Sequence, residues 1–264
     1  MRVLRRLLLG ILILTLGLGV ALAVSIPVDS FLNRGKLETL TNTAIPSPAG
    51  EVKAYVAPVA ASGPRPAVIM IHEFWGIRPS ILDKADALAE EGYFVVAPDT
   101  FRGQTTGWLP KAIWQTLRKA DEEVDADLEA VYAWLQDQPE VDAERIMVMG
   151  FCFGGGAALR YSLSQPGLAA TGVFYGSLIT DPDRLAALPG PLLGIFGAED
   201  RSIPVEEVKA FDAALETAGV PHEVRLFEGV GHAFVGSLED IRAGGAAGEA
   251  WESFLTFADQ TLTP

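Results

Sequence analysis

The chain carries one cysteine, Cys152, and three histidines, His72, His222 and His232. The cysteine stands in "GFCFG", with Gly150 and Gly154 two residues to either side. A thiolate is a strong nucleophile, but it works with a base to handle its proton and a third group to orient that base. His232 lies far downstream in "GVGHAF", a glycine-flanked loop after the last expected strand. Between the two, the apolar run "PLLGIFGAED" ends on Asp200, with Glu199 as the neighbour to exclude. Nucleophile, acid and base in that order would perform acyl transfer: attack on a carbonyl, an acyl-thioester, then hydrolysis. Each residue also has a plainer reading. Cys152 fits a buried packing position, Asp200 a turn or N-cap, and His232 an ordinary loop.

The remaining histidines offer less. His222 begins a strand and reads as a strand-end residue, while His72 closes an apolar run beside Glu73. "HEFWG" is not a zinc-binding HExxH, because Gly76 occupies the place of the second histidine. A single cysteine excludes an intrachain disulfide and any multi-cysteine metal site. The acidic stretch around Asp121, Glu122, Glu123, Asp125, Asp127 and Glu129 surrounds an apolar stripe of Val124, Leu128, Val131 and Leu135. It reads as the solvated face of a helix, and no metal is expected there.

The elements that must position these residues follow a regular alternation. "EVKAYVAP", "RPAVIMIHE", "YFVVAPDTF", "RIMVMG", "TGVFYG", "PLLGIFG" and "HEVRLFEG" read as strands, most of them continuously apolar. Helical patterns separate several of them: "SILDKADALAEEG" stopping at Gly92, the acidic stretch, a helix from about Phe153, "VEEVKAFDAALETAG" and a last helix near 241–262. Apolar strands interleaved with helices imply a mainly parallel sheet covered on both faces. One α/β domain is expected over 49–264, after a linker at 27–48. In this setting "GFCFG" is a strand-to-helix elbow. Its apex residue takes a strained backbone conformation, and its flanking positions need minimal side chains. The Phe153 amide at the start of the helix would point towards a developing oxyanion.

The first 26 residues stand apart as an N-terminal hydrophobic helix. Arg2, Arg5 and Arg6 precede the uncharged run Leu7–Ile26, and "ALA" at 21–23 offers a cleavage site. This fits a signal peptide cut after Ala23, or a signal anchor that spans the membrane with the domain outside. Either way an exported protein is expected, secreted or periplasmic or membrane-anchored, touching the membrane only through 7–26 if uncleaved. A net charge of −14 argues against nucleic-acid binding.

With these residues in place, the sequence resembles the dienelactone hydrolase family of the α/β-hydrolase superfamily, over most of residues 50–260. "GFCFGG" is similar to the family's nucleophile block, "GAED" to its acid, "GVGHAF" to its histidine loop and "IHEFWG" to a further block. The resemblance implies that Glu73 helps deprotonate Cys152 and that the Phe74 amide is the second oxyanion donor. By residue chemistry alone, Glu73 reads as a strand-end carboxylate with no chemistry. "APDTFRGQ" resembles the segment whose arginine holds a substrate carboxylate, which implies that role for Arg102. A second family arginine, four residues past the histidine, is replaced by Gly236. The aromatics Trp75, Phe101, Trp108, Trp114, Phe151, Phe153 and Phe234 are candidates for an apolar acyl pocket, Trp75 among those expected to meet substrate. The expected activity is a carboxylic ester hydrolase acting on a small ester or lactone, as a monomer and without cofactor. A general carboxylesterase, a degenerate ligand-binding fold and a thiol redox sensor are the other readings, the last lacking a resolving cysteine.

Overall fold

The computed structural model describes residues 19, 21, 24–31, 33, 36–58 and 63–263. In chain order the elements are α1 (Lys36–Leu40), β1 (Thr43–Ser47), β2 (Gly50–Val56), β3 (Arg65–Ile71), α2 (Pro79–Glu90) and β4 (Phe94–Pro98). There follow α3 (Leu109–Arg118), α4 (Asp121–Gln136), β5 (Val141–Phe151), α5 (Phe153–Ser162), β6 (Ala170–Phe174) and α6 (Pro182–Leu185). The chain ends with β7 (Leu192–Gly197), α7 (Val205–Ala218), β8 (His222–Phe227), α8 (Leu238–Arg242) and α9 (Gly245–Leu262). The strands form an eight-stranded sheet in the order β1-β2-β4-β3-β5-β6-β7-β8. β1–β2 and β2–β4 pair antiparallel and all other pairs are parallel. This is a single α/β domain with a mainly parallel sheet flanked by helices.

The continuous apolar strands are explained by burial on both faces. Along β5, Met147, Met149 and Phe151 join the core under α2, α7 and α9, while Ile146 and Val148 face the core under α4 and α5. β3 divides in the same way, with Val68 and Met70 on one side and Ala67, Ile69 and Ile71 on the other. Period-2 alternation is therefore present but hidden, since both destinations are dry. All the parallel strands run the same way, so the loops after β3, β4, β5, β6, β7 and β8 gather along one edge of the sheet. Every residue singled out above for chemistry lies in one of those loops or beside it.

Two expectations need correction. The segment at 27–48 is more than a linker: it contains α1 and the edge strand β1, whose five residues pair with β2. Alternating exposure and Pro46 hid it, as both are normal on an edge strand. The acidic face of α4 is not simply solvated. Asp127 is fully buried, Asp121 and Asp125 pair with Arg160, and Glu129 accepts from Tyr161. Helix α3 had no counterpart in the sequence reading. The apolar run Leu7–Ile26 lies largely outside the described residues. Among the described residues no helix is long and apolar enough to cross a membrane. Residues 24–31 are helical, and Asp29 there meets Lys111 of α3 at 3.1 Å.

Candidate active site

Cys152 stands between the end of β5 and the first turn of α5, at φ 54° and ψ −114°. A non-glycine residue rarely adopts this conformation, and here the surroundings hold it in place. The Cys152 amide donates to the Phe174 carbonyl at 2.9 Å, and its own carbonyl accepts from Gly155 at 3.0 Å and Gly156 at 3.2 Å. The flanking glycines are needed for space. A Cβ on Gly150 would lie 2.2 Å from the Gly154 carbonyl oxygen, and one on Gly154 would lie 2.3 Å from that of Ile71. The elbow is thus clamped between β3 and β6, and the thiol projects towards the loop edge.

His232 meets this thiol: its Nε2 lies 3.1 Å from Cys152 Sγ, and its Nδ1 lies 2.6 Å from Asp200 Oδ2. Because a carboxylate can only accept, Nδ1 carries the proton and Nε2 faces the sulfur. The hydrogen bond to Cys152, then that to Asp200, pushes His232 up to about 9 against the opposing effect of burial. Asp200 is buried and Glu199 is exposed, which decides between the two acids. The other oxygen of Asp200 accepts from the amides of Ser202 at 2.7 Å and Ile203 at 3.2 Å, fixing the carboxylate towards the imidazole.

Glu73 is 7% exposed, in the loop after β3. Burial raises its pKa, while Lys84, Arg78 and His232 pull the other way. The adjoining His72 is buried, with Nδ1 2.7 Å from the Glu73 carbonyl and Nε2 3.1 Å from Thr100 Oγ1. A carbonyl can only accept, so Nδ1 donates and Nε2 accepts from the threonine. Burial lowers His72 to about 4, so it is a neutral clamp on the loop. Gln115 of α3 donates to the Phe74 carbonyl at 2.8 Å, holding the same loop from outside. Among the described residues, the Phe74 and Phe153 amides donate to no other backbone group.

A cavity of about 580 Å³ opens over Cys152 and His232, lined also by Phe74, Phe153, Tyr175 and Ser177. Of the aromatic candidates named from sequence, only Phe153 lines it. Phe101 and Phe151 are buried, and Trp114 lies on the outer side of α3. Trp75 packs against Phe74 in a tilted arrangement with ring centroids 4.4 Å apart, the Arg78 guanidinium lies 5.7 Å from its ring centroid, and it does not join this lining. Arg102 is also not brought to the cavity. Its Nε donates to Asp127 at 3.1 Å, its Nη2 donates to the second Asp127 oxygen, and its Nη1 reaches the Ala49 carbonyl at 2.6 Å. The two cations that do line the cavity are both paired, Lys119 with Glu123 and Arg160 with Asp121 and Asp125. No cluster of potential metal ligands occurs among the described residues. His222 is tied at its strand start to Val220 and Asp212, as a strand-end residue would be.

Two residues escaped the sequence reading. Tyr175 follows β6 at φ 40°, donates to the Val235 carbonyl at 3.2 Å and sets its ring 5.3 Å from that of His232. Its place, one residue past a parallel strand, is the same signal that marked Cys152. Lys84 had no such signal. It is fully buried on α2, in an otherwise ordinary amphipathic pattern.

The chain belongs to the dienelactone hydrolase family, whose sequence profile matches residues 52–262. A Salmonella typhimurium protein named "Putative carboxymethylenebutenolidase" is 32% identical over 233 residues, covering 83% of this chain and 86% of its own length. A Synechocystis protein of the same name is 31% identical, covering 80% of this chain and 93% of its own. The crystal structure of "Putative Dienelactone Hydrolase from Klebsiella pneumoniae" superposes with a TM-score of 0.74 at 31% identity, covering 83% of this chain and 97% of the other.

Proposed function

We propose that this member of the dienelactone hydrolase family is an exported carboxylic ester hydrolase that works through Cys152, His232 and Asp200. The observation that carries the reading is the continuous line from Asp200 Oδ2 through His232 to Cys152 Sγ, at 2.6 and 3.1 Å, on the floor of an open cavity. Relatives named as carboxymethylenebutenolidases support the reaction class. Export rests on the basic N-terminus and the apolar run Leu7–Ile26.

In the proposed cycle, Glu73 takes the proton of the Cys152 thiol, and the thiolate attacks the ester carbonyl. The amides of Phe74 and Phe153 hold the oxyanion, each donor worth about 3–4 kcal/mol in comparable sites. The positive end of α5 adds to this stabilisation. The His232 imidazolium gives its proton to the leaving alkoxide, and the acyl group remains on sulfur as a thioester. His232, now neutral, takes a proton from water as that water attacks the thioester. The acid leaves, the thiolate recovers its proton from Glu73, and Asp200 keeps the imidazole oriented throughout.

The substrate proposed is a neutral ester or lactone of moderate size. Gly236 leaves no cation after the histidine, Arg102 is occupied by Asp127, and Lys119 and Arg160 are paired. A substrate carboxylate would have to break one of these pairs to find a partner. The decisive experiment runs neutral aryl esters and lactones beside their carboxylate-bearing analogues, with mass spectrometry of the acid-quenched enzyme. An acyl adduct on Cys152 and faster turnover of the neutral compounds are expected. An adduct elsewhere, or a strong preference for the carboxylates, would overturn the mechanism or the substrate class respectively.

A further inference from the structure

Lys84 lies on the core-facing side of α2, beside Ile81, Ala85 and Leu88, and none of its surface reaches solvent. Its Nζ has no hydrogen-bond partner. It sits 4.2 Å from the centroid of the Phe151 ring, and Phe151 is the residue immediately before Cys152. An amine buried in this way is costly, and a methionine or leucine would fill the same space without that cost. Stability does not explain its presence, and nothing in the proposed cycle uses it directly.

The geometry points to Lys84 as a positioning residue for catalysis: a buried countercharge behind the nucleophile strand that keeps the Glu73 carboxylate ionised and ready to take the thiol proton. The inference rests on Glu73 acting as that proton acceptor. The charges facing Glu73 are Lys84 from α2, Arg78 from the loop before it and His232 from the loop after β8, with Lys84 the strongest of the three, and the titratable Tyr175 after β6 faces it as a neutral phenol. Those facing Lys84 are Glu73, Asp240 of α8 and Asp83 of its own helix, with Glu73 again first. Burial works against both charges, raising Glu73 and lowering Lys84 to about 8, so each ionised group depends on the other. No ion pair joins them directly among the described residues. The cation therefore sets the charge of Glu73 without tethering it, and the carboxylate stays free to turn to the thiol. The face of Phe151 holds the ammonium by its ring quadrupole where no oxygen does.

The test compares full-length wild type with Lys84→Met, Lys84→Arg, Glu73→Gln and the Glu73→Gln/Lys84→Met double variant. The readout is kcat/KM against pH for a neutral aryl ester. Lys84→Met is expected to move the acid limb up by about one pH unit, a loss of about tenfold below it. Lys84→Arg should hold the limb in place, and Lys84→Met should add nothing in the Glu73→Gln background. A profile unchanged in Lys84→Met overturns the role of Lys84, even if Glu73→Gln is inactive. Wild-type activity in Glu73→Gln would instead overturn the reading of Glu73 itself. Should Lys84→Met fail to fold, infrared difference spectra of wild type against Glu73→Gln at neutral pH decide the matter. A protonated Glu73 carboxyl band there overturns the proposal, and an ionised one supports it.

Discussion

Two turns at the loop edge of the sheet each hold a non-glycine residue at positive φ and put it to different ends. Cys152 follows β5 at φ 54°, and Arg102 follows β4 at φ 50°. At Cys152 the strain is held by main-chain contacts alone: Phe174, Gly155 and Gly156 bond its backbone, and two glycines let β3 and α5 close around it. That leaves the side chain unclaimed until His232 reaches it. At Arg102 the turn is held by the buried Asp99 side chain, which accepts from the amides of Phe101 and Gly103. The arginine side chain is then taken by Asp127 and Ala49. Positive φ at a strand end therefore marks a residue that the fold positions firmly. Which neighbour occupies its side chain decides whether chemistry is available there.

The largest effect should come from emptying the first turn. Cys152→Ala is expected to lower kcat/KM for a neutral ester by about 10⁴-fold or more, as removal of a nucleophile does elsewhere. The thermal midpoint should stay close to wild type, since the elbow is held by its backbone. Turnover near the wild-type rate would mean that the strained cysteine is no more functional than the strained arginine. Asp200→Asn comes next, at about 10²–10⁴-fold, because the amide presents a donor to Nδ1 and disfavours the working tautomer. Titration of His232 by NMR should show its pKa falling from about 9 in that variant.

The contrast between the turns also explains what could be read from the chain. "GFCFG", "GAED" and "GVGHAF" announce backbone geometry: glycines permit close approaches, and each block ends or closely follows a strand of the parallel sheet. Cys152, Asp200 and His232 were therefore legible together, as was the sheet. "APDTFRGQ" announces its turn equally well, and Arg102 does sit in one. Its partner Asp127, however, lies 25 residues on, within an acidic helix where six carboxylates look alike. Lys84 was hidden for a related reason. Lysine on an amphipathic helix normally faces water, and only the packing of α2 against β5 reveals the exception. The edge strand β1 was missed because an edge tolerates proline and exposure that a central strand does not.

A third experiment probes the pair formed by His232 and Cys152 through pH. The folded pKa of His232 is raised to about 9, above the ordinary 6.5. Its protonated form thus stabilises the native state fully below about pH 6.5, and that contribution is lost as pH rises through about 9. The thermal midpoint of wild type relative to His232→Ala should accordingly narrow between pH 7 and 10. kcat/KM should decline over the alkaline part of the range, by about tenfold per pH unit beyond 9, as the imidazolium proton donor disappears. A difference in midpoint that is flat across the range would remove the His232 imidazolium from the mechanism.

The smallest effect on catalysis is expected at the second turn, and it sharpens the comparison most. Arg102→Met strips a buried carboxylate of its bidentate partner, leaving Asp127 with Lys119 at 3.6 Å. Breaking a buried pair from one side costs about 3 kcal/mol, so the thermal midpoint should fall clearly. Selectivity between neutral and carboxylate-bearing esters, measured as a ratio of kcat/KM values, should stay within about twofold, well under the 1.4 kcal/mol that a tenfold change represents. The ratio cancels any general loss of folded enzyme, so it isolates substrate contact from stability. If it shifts tenfold against carboxylates, Arg102 leaves Asp127 when such a substrate arrives, and the second turn becomes a binding element that the free enzyme keeps closed.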